Sequence, residues 1–245
     1  MAKRATSRKK TSGTRRDPSR LRRGIRHVVR RVWQALAVSL GLILVWVALY
    51  AIVPVPVTPY MISQSWRHGG VDRDWVPMEQ ISPDLQRAVV AAEDANFCLH
   101  WGFDMGAIRD AIADGGTRGA STISQQTVKN AFLWQGRSWV RKALEAAITP
   151  VVELIWSKRR VLEVYLNLAE FDTGVFGAEA AAQHYFGVAA ADLTPVQGAR
   201  LAAILPSPQR RSASNPGDAT RRRAGQILDG AATIHADGRD DCFAN

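Results

Sequence analysis

Cysteine is scarce: Cys98 and Cys242 are the two in 245 residues, too few for a disulfide framework, although one bridge is possible in an oxidising compartment. Neither they nor the five histidines fall at metal-ligand spacing, so no structural zinc site is expected. Strand alternation is weak and no repeat is present, which leaves a mainly α fold. Acidic side chains are nearly missing from residues 1–31, which carry 13 Lys/Arg against Asp17 alone, a charge of +12, whereas the whole chain is +10 and the remainder therefore −2. A nucleic-acid enzyme carries its basic footprint on the folded domain; here it belongs to an arm, so no nucleic acid is expected as partner.

Residues 1–31, with few apolar positions, read as a disordered basic cytoplasmic tail, for which anionic lipid is the fitting partner. A transmembrane helix is placed at 32–54. Ala35 to Val53 is 19 residues without a charge, Trp33, Trp46 and Tyr50 lie toward its ends, and Pro54 and Pro56 stop it. A cleaved signal peptide is the competing reading; the long charged leader and a Val-Pro-Val-Pro-Val stretch unlike a small-residue cleavage site favour a retained anchor. Arg22, Arg23, Arg26, Arg30 and Arg31 face only Arg67 and Arg73 on the far flank, which puts the N-terminus in the cytoplasm and the folded domain outside. Residues 55–80 read as a membrane-proximal linker, 81–235 as one domain and 236–245 as a polar end.

Within that domain, Ser82 caps a helix with Pro83 in its first turn and Leu85, Val89 and Ala92 on one stripe. It runs into Glu93, at the edge of the stripe, while Asp94 points to the opposite side. Glu93 is thus the better candidate for a desolvated carboxylate with a raised pKa, a usable base near neutrality; a structural Glu–Arg bridge explains it equally. An aromatic loop with Phe97, His100, Trp101 and Phe103 follows, then a short helix with Ile108, Ala111 and Ile112 inward.

Gly119 to Asn130 is a flexible entry into a helix start that is almost wholly polar. Ser121 or Thr122 can cap it, and free N–H groups at such an end receive anions, phosphates above all. Gln125 and Lys129 lie four residues apart on one face, with Gln126 and Asn130 beside them. Arg137, Arg141 and Lys142 add cations, with Glu145 one turn after Arg141. A solvated helical face would explain this group, and so would a bound diphosphate. The helix from Trp139 places Leu144, Ile148, Val151 and Val152 inward, with Pro150 as a kink or break, and Lys158 to Phe171 forms a further amphipathic helix.

In order along the chain, Glu93-Asp94 with Phe97, His100 and Gly102-Phe103-Asp104, the Gly119–Gln126 run with Lys129-Asn130, Arg141-Lys142 with Glu145, and Lys158 with Leu162-Glu163 and Tyr165-Leu166-Asn167 resemble the peptidoglycan glycosyltransferases. The likeness covers roughly 81–216 and is nearest to the monofunctional branch of Gram-negative bacteria, with a segment between Asp104 and Gly119 a few residues shorter than usual. It implies a lysozyme-like bilobal helical domain that polymerises lipid II onto a growing glycan chain with release of undecaprenyl diphosphate. It also implies roles. Glu93 would be the general base toward the acceptor 4-hydroxyl. Lys129, Arg137, Arg141 and Lys142 would stabilise the diphosphate, with Glu145 positioning these cations or a divalent metal (Mg or Mn), the one cofactor left open. Asp94, Phe97, Ser121, Thr122, Gln125, Gln126 and Asn130 would contact substrate. Inversion places Glu93 and Glu145 about 6.5–9.5 Å apart or wider. Partners implied are lipid II, the glycan chain, the bilayer and other cell-wall or division synthases. A muramidase would share the Glu but has no need of four cations, and a non-enzymatic membrane scaffold is the remaining rival; the one Ser-x-x-Lys, Ser7 to Lys10, lies in the tail, so no transpeptidase is expected.

Overall fold

The computed structural model describes residues 18–115, 119–136 and 138–244, with side chains from Arg26 onward. The chain divides into two compact units between Trp46 and Val47. Most of helix α1 (Pro18–Tyr50) forms the first. Its stretch Arg26–Tyr50 is long and apolar enough to cross a membrane. Val28, Leu36, Leu40, Leu42 and Val45 along it are exposed. Residues 18–31, read from composition as disordered, are helical here: proline suits a first turn and arginine is a good helix former, so a helix nucleated in the apolar run can extend back through them. The rest of the basic tail lies outside the described residues.

The second unit is mainly helical, as expected. In chain order it holds α2 (Pro59–His68), β1 (Asp72–Arg73), α3 (Pro83–Glu93), α4 (Met105–Ala113), α5 (Ile123–Phe132), α6 (Trp139–Ile155) and α7 (Lys158–Leu168). Then come β2 (Glu170–Asp172), β3 (Val175–Phe176), α8 (Ala178–Phe186), α9 (Pro195–Ile204) and α10 (Asp218–Ala236). The strands form one small sheet in the order β1-β3-β2, with β1 parallel and β2 antiparallel to β3. Residues 170–171, expected to continue α7, are therefore strand, and the span 55–80 carries a helix and a strand of its own.

Two helical layers position the site. In one, α3, α9 and α10 pack together around Leu85, Val89, Leu201 and Ile227. Gly198 makes this possible, because a Cβ there would stand 3.1 Å from the backbone of Leu85. In the other, α5 packs between α6 and α7 through Ile123, Val128, Val161 and Tyr165. Burying each such aliphatic side chain contributes about 1.5–3 kcal/mol. Helix α6 runs unbroken through Pro150.

The end of the apolar helix is built into the second unit. Helix C-termini leave carbonyls without donors. The indole of Trp156 donates to the Val47 carbonyl at 2.8 Å, and the Arg160 guanidinium donates to the carbonyls of Tyr50 and Val53 at 2.6–3.0 Å. The Tyr50 ring stacks on Phe132 at 5.6 Å, and Phe132 meets Trp156 at 6.0 Å.

Cys98 and Cys242 are joined in a disulfide across 144 residues of sequence. By chain entropy, closing a loop of that length stabilises the fold by about 5 kcal/mol. The disulfide fastens the residues read as a polar end, and Phe243 and Asp240 within it are buried.

Candidate active site

Glu93 is the last residue of α3 and is half-buried. Its neighbour Asp94 is the more deeply buried, 6% exposed, which reverses the expectation from helical position. The reason is tertiary: helix α3 ends there, and Asp94 turns into α5. Its Oδ2 accepts the backbone N–H of Ile123 at 2.9 Å, and its Oδ1 meets His100 Nε2 at 2.9 Å. Gly102 N donates to His100 Nδ1 at 3.1 Å, so the imidazole carries its proton on Nε2 and gives it to Asp94. Thr122 closes the circuit by donating to the Gly102 carbonyl at 2.7 Å. Gly102 is needed there: its φ is +84°, and a Cβ would lie 2.6 Å from Thr149 Cγ2.

This circuit absorbs several residues expected to touch substrate. Thr122, not Ser121, is the cap of α5. Its hydroxyl receives Gln125 N, while the Gln125 side chain accepts from Thr122 N at 3.1 Å, a capping box that leaves Gln125 buried. Phe97 is fully buried, against Phe243 on one side and with Lys158 Nζ 4.5 Å over its ring. Phe97 and Gln125 are thus held within the fold, while Thr122 both caps α5 and lines the cleft.

The cleft itself is an open cavity of about 300 Å³, lined by Glu93, Asp94 and Asn96 from the end of α3, by Asp104 and Ala107, and by Gly119–Thr122. Gln126 bridges its parts: its Nε2 donates to Glu93 Oε2 at 2.9 Å and to the Ser121 carbonyl at 3.4 Å. Tyr165, fully buried, donates to Gln126 Oε1 at 3.3 Å; burial first, then the charges of Glu93 and Asp94, holds its phenol well above the usual range, so it stays a donor and fixes the amide's orientation. Ser121 is exposed, and its hydroxyl receives Lys142 Nζ at 3.2 Å. Lys142 reaches Glu145 Oε1, and Arg141 takes Oε2. A hydrogen-bonded line thus runs from Glu93 through Gln126 and Ser121 to Lys142 and Glu145.

At the far end of that line Glu145 is 2% exposed, with each oxygen held by a cation. Lys129 is half-buried, and its ammonium makes no hydrogen bond or ion pair among the described residues. Burial lowers its pKa, the charges of Glu145 and Glu93 oppose that, and Arg141 and Lys142 add to it, so its ammonium feels both carboxylates and both neighbouring cations. Asn130, half-buried, accepts from Gln135 at 3.2 Å. Arg137 lies outside the described residues. Among the described residues no group of three or more His, Cys, Asp or Glu is placed to hold a metal, and both Glu145 oxygens are taken by Arg141 and Lys142.

Helix α6 carries this cationic end in an unusual orientation. It buries Glu145, Thr149 and Glu153 together with Val152, the one residue of the expected inward stripe that is fully buried. Leu144, expected inward, is 37% exposed; Ile148 and Val151 are half-buried; Trp139, Val140 and Leu154 are exposed at 91%, 65% and 76%. Ile112 of α4, also expected inward, is 73% exposed. The sequence reading missed Glu153, which accepts from Ser124 and from Lys158 Nζ at 2.8 Å beneath α5. Its spacing of five before Lys158 was the available signal.

Against known proteins, a family model described as transglycosylase matches residues 61–232. A biosynthetic peptidoglycan transglycosylase of Jannaschia sp. is 73% identical over 205 residues, covering 84% of this chain and 86% of its own length. Those of Caulobacter vibrioides and Escherichia coli are 48% identical over 225 residues (88% of this chain, 98% of theirs) and 49% over 216 (83% and 88%). The match covers both the cleft and the cationic helix α6, and the chain belongs to the transglycosylase family, among the biosynthetic peptidoglycan transglycosylases.

Proposed function

We propose that this chain is a monofunctional peptidoglycan glycosyltransferase that polymerises lipid II into glycan strands, with inversion at the anomeric carbon and release of undecaprenyl diphosphate. The observation that carries the reading is the line from a half-buried Glu93, touched by a neutral amide, to a buried Glu145 gripped by Arg141 and Lys142 with Lys129 beside them. Glu93 takes the proton from the acceptor sugar's 4-hydroxyl as its oxygen attacks the anomeric carbon; Gln126 aims the carboxylate. The bond to the diphosphate oxygen breaks, and charge gathers on a leaving group that needs no strong acid. Lys129, Arg141 and Lys142 stabilise that charge, joined by Arg137, and Glu145 holds Arg141 and Lys142 in place. Ser121 and Asn130 contact sugar or phosphate oxygens. An inverting transfer with a sugar nucleophile calls for carboxylates about 6.5–9.5 Å apart or wider, the spacing expected of Glu93 and Glu145.

The setting follows from the same residues. Helix α1 anchors the protein in the inner membrane with its N-terminus in the cytoplasm and the cleft in the periplasm. The Cys98–Cys242 bridge supports an oxidising compartment, and the outward aliphatic stripe of α6 supports a face laid against lipid, where the substrate resides. The partners are lipid II, the growing glycan, the bilayer and other cell-wall synthases. The test is to incubate purified protein with lipid II and separate the products by size. Glycan polymer from the wild type and none from Glu93→Gln supports the reading; no polymer from the wild type, or equal yields from both, sinks it.

A further inference from the structure

The carbonyls at the end of α3 have no helical donors, and the turn after Glu93 would be loose if left to itself. It is held from behind. Arg223 of α10 donates to the Ala92 carbonyl at 3.3 Å, and Arg239 donates to the Ala95 carbonyl at 3.2 Å. Cys98, five residues past Glu93, is bonded to Cys242. The segment that supplies these contacts is itself fixed to α3: Asp240, 3% exposed, accepts from Arg87 of α3 at 2.8 Å and faces His235 Nδ1 at 2.9 Å. The Phe243 carbonyl receives Arg159 at 2.8 Å, and its ring packs on Phe97. None of these C-terminal groups lines the cleft.

We propose that Asp237–Phe243, with Arg223, is a positioning brace for Glu93, locked by the Cys98–Cys242 disulfide. It acts by fixing the backbone on either side of the base, and the inference rests on the role proposed for Glu93. The lock closes by thiol–disulfide exchange: Cys98 and Cys242 give up two protons and two electrons to a disulfide donor, which leaves as the dithiol. Full turnover is then reached only after the chain has met an oxidising compartment.

The brace is tested on the full-length protein with lipid II. Dithiothreitol gives two electrons and two protons to the bridge and becomes its own cyclic disulfide; Cys98→Ser/Cys242→Ser removes the bridge permanently. For protein whose circular dichroism shows it folded, kcat falls about tenfold in both cases while KM for lipid II stays within about twofold, as expected when the base is displaced and the binding groups are not. An unchanged kcat in folded, bridge-free protein overturns the brace, and so does a loss confined to KM. Should the bridge-free protein fail to fold, Arg239→Ala decides: its kcat drops about threefold, and Arg239→Lys, which can still donate to Ala95, restores most of it. Equal kcat in wild type and Arg239→Ala overturns the proposal. Polymer made by Glu93→Gln would remove the base assignment itself; an inactive Glu93→Gln beside a fully active Cys98→Ser/Cys242→Ser removes only the brace.

Discussion

The two carboxylates of the cleft are held in opposite ways. Glu93 ends a helix, is half open to solvent and receives one neutral hydrogen bond among the described residues, from Gln126. Glu145 lies mid-helix, is closed off from water and is matched by a cation on each oxygen. A carboxylate that must exchange a proton has to be reachable and free of permanent counter-charge; one that holds cations in place has to be neither. The contrast matches the proposed division of labour, with the base at Glu93 and the electrostatics at Glu145, and Lys129 feels the charge of both.

That division can be broken most severely at Glu93. Glu93→Gln keeps the shape and the contact region of Gln126 but cannot take a proton, and polymerisation measured with lipid II should fall about 10³-fold with the melting temperature little changed. Glu145→Gln strikes the other end. It leaves Arg141 and Lys142 without their counter-charge, so kcat/KM should drop about 10²-fold. Thermal or denaturant unfolding should show a loss of about 2–3 kcal/mol, discounted because Lys142 is partly open to solvent. Equal stability losses in the two variants would erase the distinction.

Lys129 sharpens the comparison through pH. Its folded pKa lies below the ordinary lysine value because of burial. Between the folded and unfolded values the unfolded state binds more protons, so this group's contribution to stability rises with pH through that window and is a cost below it. Lys129→Met should therefore raise the melting temperature at neutral pH while polymerisation falls about 10²-fold. The alkaline limb of the wild-type rate profile should fall at a lower pH than a free lysine would give, and Lys129→Arg should move that limb upward. The smallest effect is expected at Gln125. Gln125→Ala removes half of the capping box and costs about 1 kcal/mol of stability, with KM for lipid II unchanged, because this side chain faces the fold and not the groove.

Much of this was legible in the sequence. The apolar anchor, the caps at Ser82 and Thr194, the helical spacing of Arg141 with Glu145 and the polar start of α5 are local patterns, and local patterns survive folding. What spacing could not show was which polar group would be claimed by a distant partner. Asp94 and Thr122 line the cleft and are also held by the Ile123 N–H and the Gly102 carbonyl, and Phe97 is packed on Phe243, whereas the Thr122–Gln125 capping box had its visible spacing of three. Helix α6 was read with Leu144, Ile148, Val151 and Val152 inward, the normal rule for a domain in water; Val152 is buried and Leu144 exposed, because Glu145, Thr149 and Glu153 share the buried face. The Cys98–Cys242 bridge was open as a possibility, since only one pairing exists, but spacing gave no sign that residues 144 apart would meet.

The division of labour is tested most directly by measuring undecaprenyl diphosphate binding to Glu93→Gln and Lys129→Met by titration calorimetry. The account predicts wild-type affinity in Glu93→Gln, although it polymerises nothing, and affinity at least tenfold weaker in Lys129→Met. Weakened binding in Glu93→Gln with wild-type binding in Lys129→Met would contradict it.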